Sequence, residues 1–101
     1  ISKSYAHMKA AELMVHHAAE KFDSGVNDGE SANIAKLLAA DASWMAAEAC
    51  LQTFGGFGFA EEYDVERKYR EARLYQVAPI STNMILSYIA EKILGMPKSY
   101  G

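Results

Sequence analysis

From Ser31 to Phe54 the apolar residues recur with helical spacing. Leu37, Ala40, Trp44, Ala47, Leu51 and Phe54 follow one another at steps of 3, 4, 3, 4 and 3. That spacing puts all of them on one stripe of an α-helix, and it conflicts with the period-two alternation of a half-buried strand. Ala35, Ala39, Ala42, Ala46 and Ala49 surround the stripe. Alanine favours helix intrinsically and lets neighbouring helices approach closely. The pattern predicts a helix from Glu30 or Ser31 to Phe54, ended by Gly55 as a left-handed C′ residue.

The rest of the chain has the same periodicity. Met8, Ala11, Val15, Ala18 and Phe22 draw a stripe on a first helix, Ser4 to Phe22, with Ser2 or Ser4 as its N-cap and Asp23-Ser24-Gly25 as its stop. The polar stretch Gly25 to Gly29 has the length of a connection between antiparallel helices. Asp64 is placed to cap a third, heavily charged helix, Val65 to Leu74, and Val77-Ala78-Pro79-Ile80 interrupts it. Ser81 or Thr82 caps a fourth helix to Leu94, with Ile85, Ile89 and Ile93 at steps of four. Gly95 stops it, and Lys98 to Gly101 is expected to fray. No strand pattern competes. The expected architecture is all-α, an antiparallel up-and-down bundle of four helices forming one domain over residues 1–101.

Composition removes several function classes. A net charge of −3 without basic clusters argues against a nucleic-acid surface. The apolar runs are too short for a membrane span. Cys50 is the single cysteine, which excludes an internal disulfide and suggests a small buried hydrophobe in a reducing cytoplasm, or a mitochondrial matrix in a eukaryote. His16 and His17 are adjacent, so on a helix they point about 100° apart and cannot share a metal. No nucleophile elbow, Glu-x-x-His pair or phosphate-binding Gly-Lys-Ser/Thr is present, so no metal ligands and no catalytic residue are assigned. The chain opens on Ile1-Ser2-Lys3-Ser4, which reads as a cut inside a longer protein.

Gln52-Thr53-Phe54-Gly55-Gly56-Phe57-Gly58-Phe59 stands apart from the helical patterns. Glycine lets other groups come close to the main chain, and phenylalanine brings apolar area that resists exposure. Such a loop is either a packed connection between helices or a bed for a flat ligand.

That run, followed by Glu62-Tyr63-Asp64-Val65-Glu66-Arg67 and Arg70-Glu71-Ala72-Arg73, resembles the signature of the acyl-CoA dehydrogenase family. Asp64 stands where a proline is common in that signature and Glu71 where an aspartate is; Ala35-Lys36 resembles a pair on the helix leading into the glycine run. The resemblance implies the C-terminal helical domain of such an enzyme, with one bundle helix missing upstream. It implies FAD as cofactor, an acyl-CoA substrate oxidised to the 2,3-enoyl-CoA, an electron-transfer acceptor, and a homodimer or homotetramer. Gln52, Thr53, Phe54, Gly55 and Gly56 would lie against the FAD of a neighbouring subunit. Ser81, Thr82 and Asn83 fall where the family begins its last helix, and Ser81 and Asn83 are taken as flavin contacts.

One departure bears on chemistry. Pro79 occupies the place of the family's catalytic glutamate, and proline cannot abstract a proton. Either the base lies on the preceding helix, or the protein is a related flavin monooxygenase or oxidase-like branch, or it is a silent helical oligomerisation module. Glu61, Glu62, Glu66 and Glu71 are poor substitutes at structural or surface positions.

Overall fold

The computed structural model describes residues 1–26 and 28–98. Asn27 of the expected polar loop, and the expected frayed tail beyond Lys98, lie outside the described residues. Four α-helices form: α1 (Ser2–Asp23), α2 (Gly29–Phe54), α3 (Val65–Val77) and α4 (Thr82–Tyr88). Two 3₁₀ turns, Gly55–Phe59 and Glu61–Tyr63, join α2 to α3, and a π-helical turn, Ile89–Ile93, continues α4. No strand occurs among the described residues, and the fold is all-α as expected.

Helix α2 is the axis of the domain. α1 packs along it, and α3 and α4 also pack on it. Polar and aromatic ties give the directions. Tyr69 of α3 donates to Glu48 at 3.0 Å and Gln76 donates to Asp41 at 3.1 Å, so α3 runs antiparallel to α2. Tyr88 of α4 then reaches Gly29, at the start of α2; a Cβ there would lie 2.6 Å from its hydroxyl. α3 and α4 thus follow one another along α2, as two halves of a row broken at Pro79. The fourth helix covers nearly the expected span, as α4 and its π turn together, but it continues the row of α3 and does not form a further antiparallel row. Small residues make the contacts close: Ala11 of α1, Ala35, Ala40 and Ala42 of α2, and Ala72 of α3 are all buried.

The break is closed by polar bonds. Ala78 has φ −125° and ψ 146°, the extended conformation that a following proline imposes, so α3 runs to Val77, three residues past the expected Leu74. Pro79 has no N–H to offer the Tyr75 carbonyl one helical turn back, and the Lys36 ammonium donates to that carbonyl instead. On the far side of the break, the Ser81 hydroxyl oxygen accepts from the Met84 N–H at 3.2 Å, the expected N-cap of α4.

Several expectations are corrected. α1 begins at Ser2 with Ile1 at the N-cap position, so neither Ser2 nor Ser4 caps it. Asp64 precedes α3 in the left-handed region, φ 59°, and makes no side-chain cap; its carboxylate accepts from Arg67 at 3.4 Å. Gly55 has the expected positive φ of 60°, but its ψ of −135° lies outside the left-handed helical region because the chain enters a 3₁₀ turn at once. The isoleucine stripe of α4 is not buried along its whole length. Ile85 is 1 % exposed, whereas Ile93 is 36 % exposed. Tyr88 already lies opposite Gly29, the first residue of α2, so Ile93 stands beyond the end of the helix it would pack on. Cys50 is exposed, because it faces an open groove between α1 and α2.

The α1–α2 connection is set by Asp28. Its carboxylate caps α2 at the Glu30 N–H, accepts from Ser31 at 2.6 Å and pairs with Lys21 of α1 at 2.8 Å. The Lys21 ammonium, followed by the Ser31 hydroxyl, holds this carboxyl well below its ordinary value of 3.8. A folded-state value below the unfolded one stabilises above the ordinary carboxylate range, and this is lost as pH falls through the lowered value. Asp28→Asn, which keeps a capping oxygen but loses the charge, should therefore lower the melting temperature at neutral pH. The gap from the parent protein should close as pH drops below about 4. Thermal unfolding across pH checks this, and a gap that stays constant contradicts it.

Candidate functional site

The last turn of α2 carries Gln52, Thr53 and Phe54, and the 3₁₀ turn that follows carries Gly55 and Gly56. Gln52 is exposed, and the Thr53 hydroxyl donates to the Ala49 carbonyl at 2.7 Å. Phe54 and Phe57 close on Tyr63 with ring centroids 6.0 and 5.6 Å apart, while Phe59 is 77 % exposed. Part of the glycine–phenylalanine loop is thus packed as a connection between helices, and its glycines differ in what surrounds them.

Gly58 is buried, and a Cβ on it would lie 2.7 Å from Leu51 Cδ1 and 3.1 Å from the Leu51 carbonyl oxygen. Its missing side chain lets the loop fold back on α2. Gly55 needs glycine for its positive φ, yet a Cβ on it would meet nothing within 4 Å. Gly56 has neither reason: its φ is not positive and the space beside it is open. Nothing inside the chain requires glycine at 56.

The second set of expected contacts lies elsewhere. Ser81 is half-buried and Asn83 exposed at the start of α4, where Asn83 borders a shallow hollow with Ser87, Tyr88 and Glu91. Thr82 donates to the Gln76 side-chain oxygen at 3.2 Å, and the Gln76 amide donates to Asp41. Asp41 precedes Gln52 by 11 residues of α2, about 16 Å of helix. The structure does not bring Gln52–Gly56 and Ser81–Asn83 together within one chain. They form two patches on opposite sides of the break, one at the end of α2 and one near its middle.

The 78–81 turn carries no carboxylate. Glu66 accepts from Arg70 at 2.7 and 3.3 Å, and this hydrogen bond holds its carboxyl below the ordinary 4.5. That makes it a weaker base than a free glutamate. Glu71 is paired with Arg67 at 2.8 Å. Sequence reasoning missed the Asp41–Gln76–Thr82 chain. Its one legible signal was a carboxylate, Asp41, set among alanines in α2.

Comparison with known proteins gives the family. The profile of the domain described as "Acyl-CoA dehydrogenase, C-terminal domain" matches residues 1–94. The chain belongs to the acyl-CoA dehydrogenase family. It is 39% identical to acyl-CoA dehydrogenase FadE12 of Mycobacterium tuberculosis, over 99% of this chain and 26% of that protein. It is 40% identical to an acyl-CoA dehydrogenase of Bacillus subtilis, over 85% of this chain and 22% of that protein. It is 33% identical to cyclohexane-1-carbonyl-CoA dehydrogenase of Geobacter metallireducens, over 93% of this chain and 25% of that protein. The chain thus spans about a quarter of the length of these relatives. No solved structure matches it. Among the described residues, no helix of this acyl-CoA dehydrogenase family member is long and apolar enough to cross a membrane.

The glycines supply a direct test of the two duties. Gly58→Ala should destabilise the fold by about 1–3 kcal/mol, because Leu51 and its backbone must give way. Gly56→Ala should change stability by less than about 0.5 kcal/mol. Paired melting curves check both, and equal losses would contradict the division.

Proposed function

We propose that this chain is the C-terminal helical part of a longer FAD-dependent acyl-CoA dehydrogenase that oxidises an acyl-CoA thioester to the 2,3-enoyl-CoA. The observation that carries the reading is Gly56, a glycine with open space beside it next to an exposed glutamine. FAD, when bound, supplies the two-electron acceptor, and an electron-transfer acceptor removes those electrons. The residues at the end of α2 suit such a group. Gln52 offers both a donor and an acceptor, and Gly55 and Gly56 leave the main chain open to close approach. Ser81 and Asn83 contribute polar contacts at the second patch, with the Ser81 oxygen oriented by its cap bond.

The separation of the patches along α2 fits an assembly in which Gln52–Gly56 meet a neighbouring subunit's FAD while Ser81 and Asn83 face the subunit's own. Self-association as a homodimer or homotetramer, in the cytoplasm, belongs to this reading. An open apolar groove of about 1010 Å³ between α1 and α2, lined by Tyr5, Met8, Val15 and Phe54 among others, is available to the rest of the protein.

The proton α to the thioester carbonyl is taken by a carboxylate outside residues 1–101. Pro79 excludes a base at its own position, Asp41 already accepts from Gln76, and Glu66 is tied to Arg70. The same proline favours one second reading, a related flavoprotein branch whose chemistry needs no carboxylate there.

The full-length protein should purify with a flavin absorption band and reduce an artificial electron acceptor with an acyl-CoA. The isolated 101 residues should not. A colourless full-length protein that refuses added FAD overturns the reading. A yellow protein inert towards acyl-CoA thioesters selects the second branch.

A further inference from the structure

The break between α3 and α4 is spanned by a polar chain that the reading above does not use. Gln76 is 9 % exposed and bridges α2 and α4. Its Nε2 donates to Asp41 Oδ1 at 3.1 Å, and its Oε1 accepts from the Thr82 hydroxyl at 3.2 Å. The carboxylate of Asp41 can only accept, so it dictates which way the Gln76 amide faces, and Thr82 must then be the donor at the other end. Each group has one compatible partner. Thr82 is the first residue of α4, flanked by Ser81 and Asn83. Lys36 holds the other side of the break at the Tyr75 carbonyl, so the 78–81 turn is fixed to α2 at both ends.

We propose that Gln76 is a positioning residue: the Asp41–Gln76–Thr82 chain sets where the Ser81–Asn83 patch stands relative to α2, and through that patch it tunes the bound flavin. The inference rests on the proposed FAD reading. Its physical basis is the cost of leaving a buried polar group without its partner, which the start of α4 would escape by moving. An apolar or mispolarised residue at 76 releases the start of α4 without touching the flavin itself.

The test uses full-length protein and a swap of polarity. Gln76→Glu sets two carboxylates against each other. Asp41→Asn together with Gln76→Glu restores one donor and one acceptor at unchanged side-chain lengths. Gln76→Glu should speed amide hydrogen exchange at residues 82–85, shift the bound flavin's visible band and weaken FAD binding about tenfold. The double variant should recover all three, which a general loss of stability would not produce. Should Gln76→Glu fail to fold, Thr82→Val removes the hydroxyl at nearly constant shape and must give the same shift. An unchanged flavin band and FAD affinity in a folded Gln76→Glu protein, or no recovery in the double variant, overturns the inference while the FAD reading stands. A parent protein that binds no FAD overturns both.

Discussion

Helix α2 has to serve partners on more than one side, and the rest of the domain depends on how it does so. α1 lies along it, and the broken row of α3 and α4 lies along it as well. A helix flanked in this way needs small side chains at the contacts, or its neighbours stand off and the buried area is lost. Ala35, Ala40 and Ala42 meet that need. The larger residues of the stripe are used where rings can interlock. Trp44 packs on Tyr69 with centroids 4.7 Å apart, and the Arg73 guanidinium lies 5.2 Å from the Trp44 ring centroid. Packing of this kind sets the axial position of α3, and through α3 the place where the row breaks.

The outer face of α3 follows a different logic. Arg67 pairs with Glu71 and Arg70 with Glu66, each four residues apart, with Arg70 exposed and Arg67 half-buried. Exposed pairs at this spacing contribute only a few tenths of a kcal/mol each, so they keep the helix soluble and well formed without fixing its place. Placement falls to the part-buried bonds facing α2. The division leaves the charged motif Arg70-Glu71-Ala72-Arg73 with mixed duties: a surface pair, a buried alanine against α2, and a cation over tryptophan.

Most of the architecture was legible in the sequence because helices write their period into the order of residues. The long helices appear where the apolar spacing places them, and the Ser81 cap and the stop at Gly25 are local chemistry that a few neighbouring letters disclose. What escaped is tertiary. The Lys36 bond to Tyr75 spans 39 positions and the Asp41 bond to Gln76 spans 35, so no local pattern announces either. The π turn after Tyr88 escaped for another reason: a spacing of four fits a regular helix, and nothing in Ile85, Ile89 and Ile93 signals the added backbone. For the candidate site, the glycine run was visible, but only the space around each glycine separates Gly56 from Gly58.

Because α2 is one uninterrupted helix from Gly29 to Phe54, it acts as a ruler with a phase. Each residue between Asp41 and Gln52 adds about 1.5 Å of length and about 100° of rotation. On the proposed reading, this stretch sets both the spacing and the relative bearing of two flavin-facing patches that serve different subunits. A single inserted residue would leave each patch intact and aim one of them away from its target. Residues with no chemistry of their own, alanines among them, would then hold information about the assembly in their number rather than their identity.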